Sequence, residues 1–337
     1  MKTLALVLLA ACGGSSAPTP PTGAGSAIAA PTAKGKVESR TFHSAALDVD
    51  KTYRVYLPAG YDETKQWPVY YYLHGLTGTE DAWLKGGKID EAADTLGLQA
   101  IIVMPDGDDS MYVDSAKQVD YDACLKSGES LFMNGQVKGE THRSHCVKHW
   151  MYETYITKDL LADVDGHYHT NATREGRGIA GMSMGGLGAW MLGMRHPDLF
   201  AAAVSHSGFL GLRYKAPHPY TGNTLIEKTT MHDLPRGNPM VDYVVDIFGP
   251  DLGNWDAHDP ETLAHTVQQD KPALYLDCGT EDEFEFMDVA QAIHADLDER
   301  HIKHAYYLGA GHHSFDFWRP REVESLKWLR EHVAAPR

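Results

Sequence analysis

The chain has 337 residues, of which 43% are hydrophobic, and a formal net charge of −16 at pH 7. This length and composition suit one large folded core rather than a disordered chain. The acidic balance and the lack of a basic run argue against a nucleic acid or an anionic membrane surface as a partner.

The N-terminal residues have the pattern of an export signal. A lysine at position 2 precedes an apolar stretch at 3–11 that is too short to span a bilayer permanently. The sequence Leu-Ala-Ala-Cys at 9–12 resembles the lipobox of bacterial lipoproteins, which predicts that residues 1–11 are removed and that Cys12 carries lipid. No aspartate follows Cys12, and we therefore predict an outer-membrane lipoprotein that faces the periplasm or the cell surface. The alternative is an ordinary signal peptide and a secreted protein.

The residues after the predicted cleavage site form a separate segment. Residues 12–36 are mainly Gly, Ser, Ala, Thr and Pro. Because such a composition cannot form a packed core, we predict a flexible, lipidated tether. The folded domain is then expected over residues 37–337, with membrane association only through the N-terminus.

Strand and helix patterns alternate through the rest of the chain. After two early antiparallel strands, apolar runs of strand length are separated by segments with helical periodicity, which predicts a mostly parallel central sheet flanked by helices. The predicted strands are residues 37–43, 52–57, 69–73, 100–104, 177–180, 201–205, 273–277 and 305–308, and the predicted helices are residues 90–96, 152–168, 187–194, 287–300 and 321–333.

Two polar segments interrupt this alternation and are interpreted as insertions near the functional site. Residues 114–150 carry Cys124 and Cys146, which are candidates for a local disulfide in an oxidising compartment. Residues 213–270 form the longer excursion. The histidines of the first insertion, His142, His145 and His149, match no recognised ligand pattern, and we predict no metal site. The remaining cysteine, Cys278, ends an apolar run and is interpreted as a buried thiol.

The segment 181–186 reads Gly-Met-Ser-Met-Gly-Gly between a predicted strand and a predicted helix. In this context a Gly-x-Ser-x-Gly sequence predicts a tight turn that exposes a nucleophilic serine, here Ser183. The flanking glycines allow the sharp bend and close packing of the helix on the strand. The following helix directs its first N–H groups at the position where an oxyanion would form.

A nucleophilic serine on such a strand-to-helix turn is followed later in the chain by an acid and a histidine that complete the catalytic triad. The strand ending at residue 277 opens into a loop that contains Asp282, with Glu281 and Glu283 as rivals. The strand ending at residue 308 opens into a turn that presents His312 and His313 side by side. The residues alone leave both choices open.

The motifs together resemble the esterase D family over residues 37–333. They are LHGLTG at 73–78, MPDG at 104–107, GMSMGG at 181–186, HPDLF at 196–200, SG at 207–208, DCGTED at 277–282 and HSFDFW at 313–318. The resemblance implies an α/β-hydrolase fold and a triad of Ser183, Asp282 and His313. It also implies an oxyanion hole formed by the backbone N–H groups of Leu76 and Met184.

The resemblance further implies a serine carboxylic ester hydrolase that forms an acyl-enzyme and needs no metal or organic cofactor. Its expected substrate is a small or polysaccharide-linked ester outside the cytoplasm, with a feruloyl, acetyl or other short-chain acyl group. The alternatives are an acyltransferase with the same triad and a noncatalytic surface binding protein. Four aromatic residues are candidates for the pocket lining: Trp83, Tyr112, Trp255 and Trp318.

Overall fold

A computed structural model describes residues 34–127, 145–222, 227–228 and 236–337. The predicted signal peptide, the lipid attachment site Cys12 and most of the predicted tether lie outside the described residues. His142 of the first insertion does so as well.

The central sheet has eight strands, and a separate pair of short strands forms a small hairpin. The strands are β1 (Lys36–Ser44), β2 (Val49–Leu57), β3 (Val69–Leu73), β4 (Ile101–Pro105), β5 (Arg177–Met182), β6 (Ala202–His206), β7 (Tyr214–Lys215), β8 (Glu227–Lys228), β9 (Ala273–Gly279) and β10 (His304–Gly309). The order across the large sheet is β1-β2-β4-β3-β5-β6-β9-β10. The first two strands run antiparallel to their neighbours. The other six strands of this sheet, β3, β4, β5, β6, β9 and β10, are parallel to one another.

Helices cover both faces of the sheet. They are α1 (Ile89–Leu96), α2 (Tyr121–Ser127), α3 (Tyr152–Thr154), α4 (Leu161–His167), α5 (Met184–Arg195), α6 (Pro239–Phe248), α7 (Leu252–His258), α8 (Pro260–Ala264), α9 (Phe286–Glu299) and α10 (Phe315–His332). Short π-helical segments occupy Trp83–Gly87 and Tyr155–Leu160, and Arg174–Gly176 is a 3-10 turn. Within the described residues, no helix combines the length and apolar character needed to cross a membrane.

The core has two parts because side chains alternate along each buried strand. On β3, Tyr71 enters the larger apolar cluster, which also contains Trp190 of α5. Its neighbours Tyr70 and Tyr72 enter the second cluster on the opposite face, where Leu326 of α10 packs. Both faces of the parallel strands β3, β4, β5, β6 and β9 are therefore dry, which agrees with the continuous apolar runs that predicted them.

The predicted strands match the observed strands, and two of the predicted helices differ from the observed ones. The helix predicted at 152–168 is a composite of α3, a π-helical segment and α4. The last helix begins at residue 315, earlier than the predicted 321, with Pro320 inside it. The chain before Pro320 was expected to be a loop because proline usually stands near a helix start.

The excursion at 213–270 contains three helices, α6 to α8, that were not predicted. A local signal for α6 is present: Asn238 precedes Pro239, and the Asn238 side chain accepts hydrogen bonds from the backbone N–H groups of Met240 and Val241. Asparagine as the N-cap followed by proline at the first helical position is a typical helix start. The many glycines and prolines of the excursion obscured this start.

The two cysteines of the first insertion are joined in the structure. Cys124 lies on α2, and its Sγ atom bonds to that of Cys146, which is 22 residues further along the chain. Both cysteines are buried. The bond therefore ties the two described ends of the insertion together.

Candidate active site

Ser183 lies at the turn between β5 and α5, at the carboxyl edge of the parallel strands. Its backbone has φ 55° and ψ −120°, a conformation that non-glycine residues rarely adopt. The chain passes so close to itself here that a side chain on Gly181 would collide with the Gly185 carbonyl oxygen. The glycines of the motif are thus required by close approach of the backbone, and the turn presents the Ser183 hydroxyl.

The structure brings Ser183, His313 and Asp282 together in a line of hydrogen bonds. The Ser183 hydroxyl lies 2.8 Å from His313 Nε2, and His313 Nδ1 lies 2.7 Å from Asp282 Oδ2. With Nδ1–H donating to the carboxylate, Nε2 is free to accept from the hydroxyl. Asp282 is on the loop after β9, and His313 is on the loop after β10, 130 positions beyond the serine.

The surroundings of the two loops distinguish the rival residues. Asp282 is buried, and its second oxygen accepts a hydrogen bond from the Phe284 N–H at 3.0 Å. Glu283 instead accepts from the His313 backbone N–H at 3.0 Å and pairs with the His312 ring at 2.9 Å. The His312 side chain is 63% exposed, so this pair faces solvent. The geometry selects Asp282 and His313 from the alternatives that the residues alone left open.

The His313 ring is held by aromatic edges. The rings of Phe284, Phe286 and Trp318 meet it at steep angles, with centroids 4.8, 5.5 and 4.9 Å away. The Trp318 indole N–H donates to Ser207 Oγ at 3.1 Å, which fixes that ring in turn. Such packing leaves little freedom for the imidazole to turn away from Ser183.

The two predicted oxyanion donors lie beside the serine. Leu76 and Met184 line the same cavity as Ser183, and Met184 is the first residue of α5. The first N–H groups of a helix have no partner within the helix, so that of Met184 is available to a ligand. In the loop after β3, a methyl group on Gly75 would lie 3.2 Å from the Ser183 Cβ, which shows how closely this loop passes.

Hydrogen bonds from the loop after β4 support the loop that carries Leu76. Asp109 Oδ1 accepts from the Thr77 N–H at 2.6 Å. The Gly107 N–H donates to His74 Nε2 at 2.9 Å, and the Tyr112 hydroxyl donates to the His74 carbonyl at 3.0 Å. The aspartates of this loop, Asp106, Asp108 and Asp109, are buried, and Asp109 bonds directly to the loop at residues 74–78.

A cavity of about 780 Å³ opens onto Ser183 and His313. The loop after β6, α6 and α9 supply much of its wall, which is mainly apolar. Its larger apolar side chains are Leu76, Met111, Met182, Met184, Phe209, Leu210, Leu212, Met240, Phe284, Phe286, Val289, Phe315 and Trp318. Tyr214, Ala216 and Met240 come from the excursion at 213–270, which therefore borders the site. The described part of the insertion at 114–150 contributes no residue to this wall.

Of the four aromatic candidates for the pocket lining, Trp318 lines the cavity. Trp83, Tyr112 and Trp255 are instead fully buried in the core. Each has a structural partner for its polar group: for example, the Trp83 indole N–H donates to the Leu73 carbonyl at 3.0 Å. The phenylalanines that do line the cavity follow the ends of β6, β9 and β10, and sequence position after a strand was the signal that could have found them.

Buried side chains near the site have structural partners. His206 is fully buried between Asp277 Oδ2 at 2.9 Å and Ser325 Oγ at 3.0 Å. Cys278 is buried as predicted, and burial raises the pKa of its thiol, which keeps the sulfur protonated and unreactive.

Three groups of side chains among the described residues have the composition of metal ligands. They are Cys124 with His145 and Cys146, His294 with Asp298 and His304, and His218 with Glu285 and Asp288. In the first group the cysteines are joined in the disulfide, which removes both thiolates as ligands. None of the three groups includes Ser183, His313 or Asp282.

The sheet order and the strand-end positions of these three residues define the molecule as an α/β-hydrolase, which confirms the predicted fold. Residues 44–329 match the family described as putative esterase. The chain belongs to this putative esterase family, which confirms the family resemblance seen in the sequence.

Known relatives agree with this assignment. Esterase Rv1288 of Mycobacterium tuberculosis is 30% identical over 173 residues, which cover 51% of this chain and 32% of that protein. The match thus spans about a third of the length of that relative. The acetyl esterase of Caldicellulosiruptor saccharolyticus is 21% identical over 77% of this chain and 82% of its own length. Among solved structures, a ferulic acid esterase superposes with a TM-score of 0.63 at 20% identity, covering 89% of this chain and all of that one, and supports the fold.

Proposed function

We propose that the protein hydrolyses carboxylic esters through a triad of Ser183, His313 and Asp282. The observation that carries this proposal is the line of two hydrogen bonds, 2.8 and 2.7 Å long, that joins the three side chains at the mouth of the cavity. Membership in the putative esterase family supports the reaction class.

The geometry suits acyl transfer in two steps. As the Ser183 oxygen attacks the ester carbonyl carbon, His313 Nε2 takes the hydroxyl proton and then gives it to the departing alkoxide. The buried carboxylate of Asp282 holds the ring and stabilises the imidazolium that forms. Water then attacks the acyl-enzyme, loses a proton to His313, and releases the acid and the free serine.

The tetrahedral intermediates carry a negative oxygen that needs donors. We assign this role to the backbone N–H groups of Leu76 and Met184, two residues that line the same cavity as Ser183. A donor of this kind contributes about 3 kcal/mol to stabilisation of the transition state. The mechanism needs no metal ion or organic cofactor.

The substrate is proposed to be an ester met outside the cytoplasm. The relatives whose names include acetyl esterase and ferulic acid esterase support a feruloyl, acetyl or other acyl ester, free or linked to a polysaccharide. The lipobox-like sequence at 9–12 supports export and anchoring of the domain through Cys12. Secretion after ordinary signal cleavage is the alternative.

The proposal is tested by hydrolysis of p-nitrophenyl acetate and butyrate and of methyl ferulate by the full chain and by Ser183→Ala. We expect turnover of at least one ester by the wild-type protein and loss of turnover in the variant. A folded wild-type protein that turns over none of them would remove the support for hydrolysis. Adding glycerol and measuring the ratio of ester to acid products tests the second candidate, an acyltransferase, because transfer requires the alcohol to outcompete water.

A further inference from the structure

We infer that the substrate carries an extended apolar group, substantially larger than butyryl, that fills the cavity beside Ser183. This inference rests on the proposed function, because it identifies the substrate class of the same site. It separates the site from one built for acetyl or other short acyl groups, which are among the substrates that the sequence suggested.

The cavity beside Ser183 is much larger than an acetyl group. The cavity of about 780 Å³ lies within the range of roughly 300–1,000 Å³ in which proteins hold drug-sized ligands. An acetyl group would leave most of this space to water. Water next to an apolar wall is unfavourable, and an apolar ligand gains binding free energy by displacing it.

The side chains that line the cavity are mainly apolar. Among the described residues that line the cavity, the polar side chains besides Ser183 and His313 are Thr77, Tyr214, Glu285 and the indole of Trp318, whose N–H already donates to Ser207. The other described lining residues are glycines and apolar side chains. Four methionines are among them, and their unbranched side chains adapt to the shape of a ligand: Met111, Met182, Met184 and Met240. A polar sugar or peptide-like group would find few partners deep in this wall.

Three phenylalanines form a row at the wall of the cavity. Phe209 stacks on Phe286 with centroids 5.3 Å apart, and Phe286 stacks on Phe284 at 5.5 Å. Phe284 is 59% exposed, and its ring also meets the edge of His313 at 4.8 Å. The row therefore forms a continuous apolar surface from the interior of the cavity to the catalytic imidazole. An exposed phenylalanine at this place is explained if an apolar part of the substrate covers it.

Two series of esters test the inference and distinguish which half of the ester carries the apolar group. In the first series the full chain hydrolyses p-nitrophenyl acetate, butyrate, octanoate and decanoate. In the second series the acid is always acetate, and the alcohol is ethanol, butanol or octanol. Each methylene that leaves water contributes up to about fourfold to kcat/KM. We expect kcat/KM to rise at least about tenfold from four to eight carbons in one of the two series.

Substitutions at the wall connect the length dependence to this cavity. Met240 is half-buried at the start of α6, and Met240→Trp fills part of the space. In the series that shows the length preference, we expect the eight-carbon to four-carbon ratio of kcat/KM to fall at least about fivefold, with Val289→Phe on α9 as a second filling variant. Val245→Trp is the matched control, because Val245 is half-buried on the same helix and does not line this cavity. Its ratio should stay at the wild-type value.

The outcomes separate this inference from the proposed function. If kcat/KM does not rise from four to eight carbons in either series, the inference is wrong and the proposed function stands. A length preference that survives both filling variants also contradicts the inference, because the apolar group must then bind elsewhere. If no ester in either series is hydrolysed and Ser183→Ala matches the wild type, the proposed function is wrong, and the inference that rests on it is wrong as well.

Discussion

The choice between neighbouring residues is decided by single hydrogen bonds. His312 and His313 are adjacent in sequence, yet only the ring of His313 reaches both Ser183 and Asp282. Ser183 could be predicted from its local motif, whereas only the family resemblance separated His313 from His312. The contacts that fix the rings, such as those of Phe284 and Phe286, join loops far apart in the chain and leave no local pattern.

The pair His313→Ala and His312→Ala tests this choice. Without the base at position 313, kcat should fall about 10⁴-fold or more, because serine loses its proton acceptor. The change at 312 removes an exposed ring bound to Glu283, and kcat should stay within about threefold of the wild type. Steady-state ester hydrolysis by both variants provides the measurement. Equal losses in the two variants would contradict the assignment.

The loops after β3 and β4, at the carboxyl edge of the sheet, are held together by hydrogen bonds between them. The buried Asp109 carboxylate accepts from the Thr77 N–H at 2.6 Å, next to the proposed donor Leu76. We predict that Asp109→Ala lowers kcat at least about tenfold with little change in KM, because the oxyanion donor is used mainly in the transition state. If KM rises and kcat is unchanged, the loop serves substrate binding instead. Asp282→Asn, which leaves this loop intact, is the comparison for loss of the triad itself.

Packing of α10 against the chain near α1 buries an acid without a partner. Glu322 is fully buried, and neither carboxylate oxygen has a hydrogen-bond partner within the described residues. Burial, opposed by the charge of Arg319, raises the pKa of Glu322 to about 9. The folded protein therefore keeps a proton that the unfolded chain releases at about pH 4.3. Between these two values the free energy of unfolding falls as the pH rises.

Glu322→Gln tests this account, because the amide has the shape of the protonated acid and does not ionise. The variant should be more stable than the wild type at pH 8, and the difference should shrink as the pH approaches 5. Urea unfolding at both pH values measures the two free energies of unfolding. A stability difference of the same size at pH 5 and pH 8 would show that the group does not change its protonation on unfolding.

The strands of the sheet could be predicted from the sequence better than the helices. Every strand of the central sheet was predicted, and the five inner strands β3, β4, β5, β6 and β9 have two dry faces and therefore appear as apolar runs. The helices α6 to α8 were missed, since their short lengths and nearby glycines and prolines look like loops until tertiary contacts are known. The cavity wall was missed with them, because Met240 is on α6.

For the molecule as a whole, the disulfide is the feature that depends on the compartment. Cys124 and Cys146 close a loop of 22 residues in sequence. Loop-closure entropy gives a stabilisation of about 3 kcal/mol for a loop of this length. We predict that the double variant Cys124→Ala and Cys146→Ala loses this much free energy of unfolding, measured by urea denaturation under non-reducing conditions. If the variant is as stable as the wild type, the bond adds nothing to stability; Cys278→Ala controls for loss of a thiol alone.

The most direct test of the central claim is covalent capture of the nucleophile. The full chain is treated with an alkyl fluorophosphonate, and the modified residue is located by peptide mass mapping while p-nitrophenyl ester hydrolysis is followed. We predict one adduct, on Ser183, formed in step with loss of hydrolysis and absent from Ser183→Ala. An adduct on another residue, or hydrolysis that continues in the Ser183→Ala variant, would contradict the account.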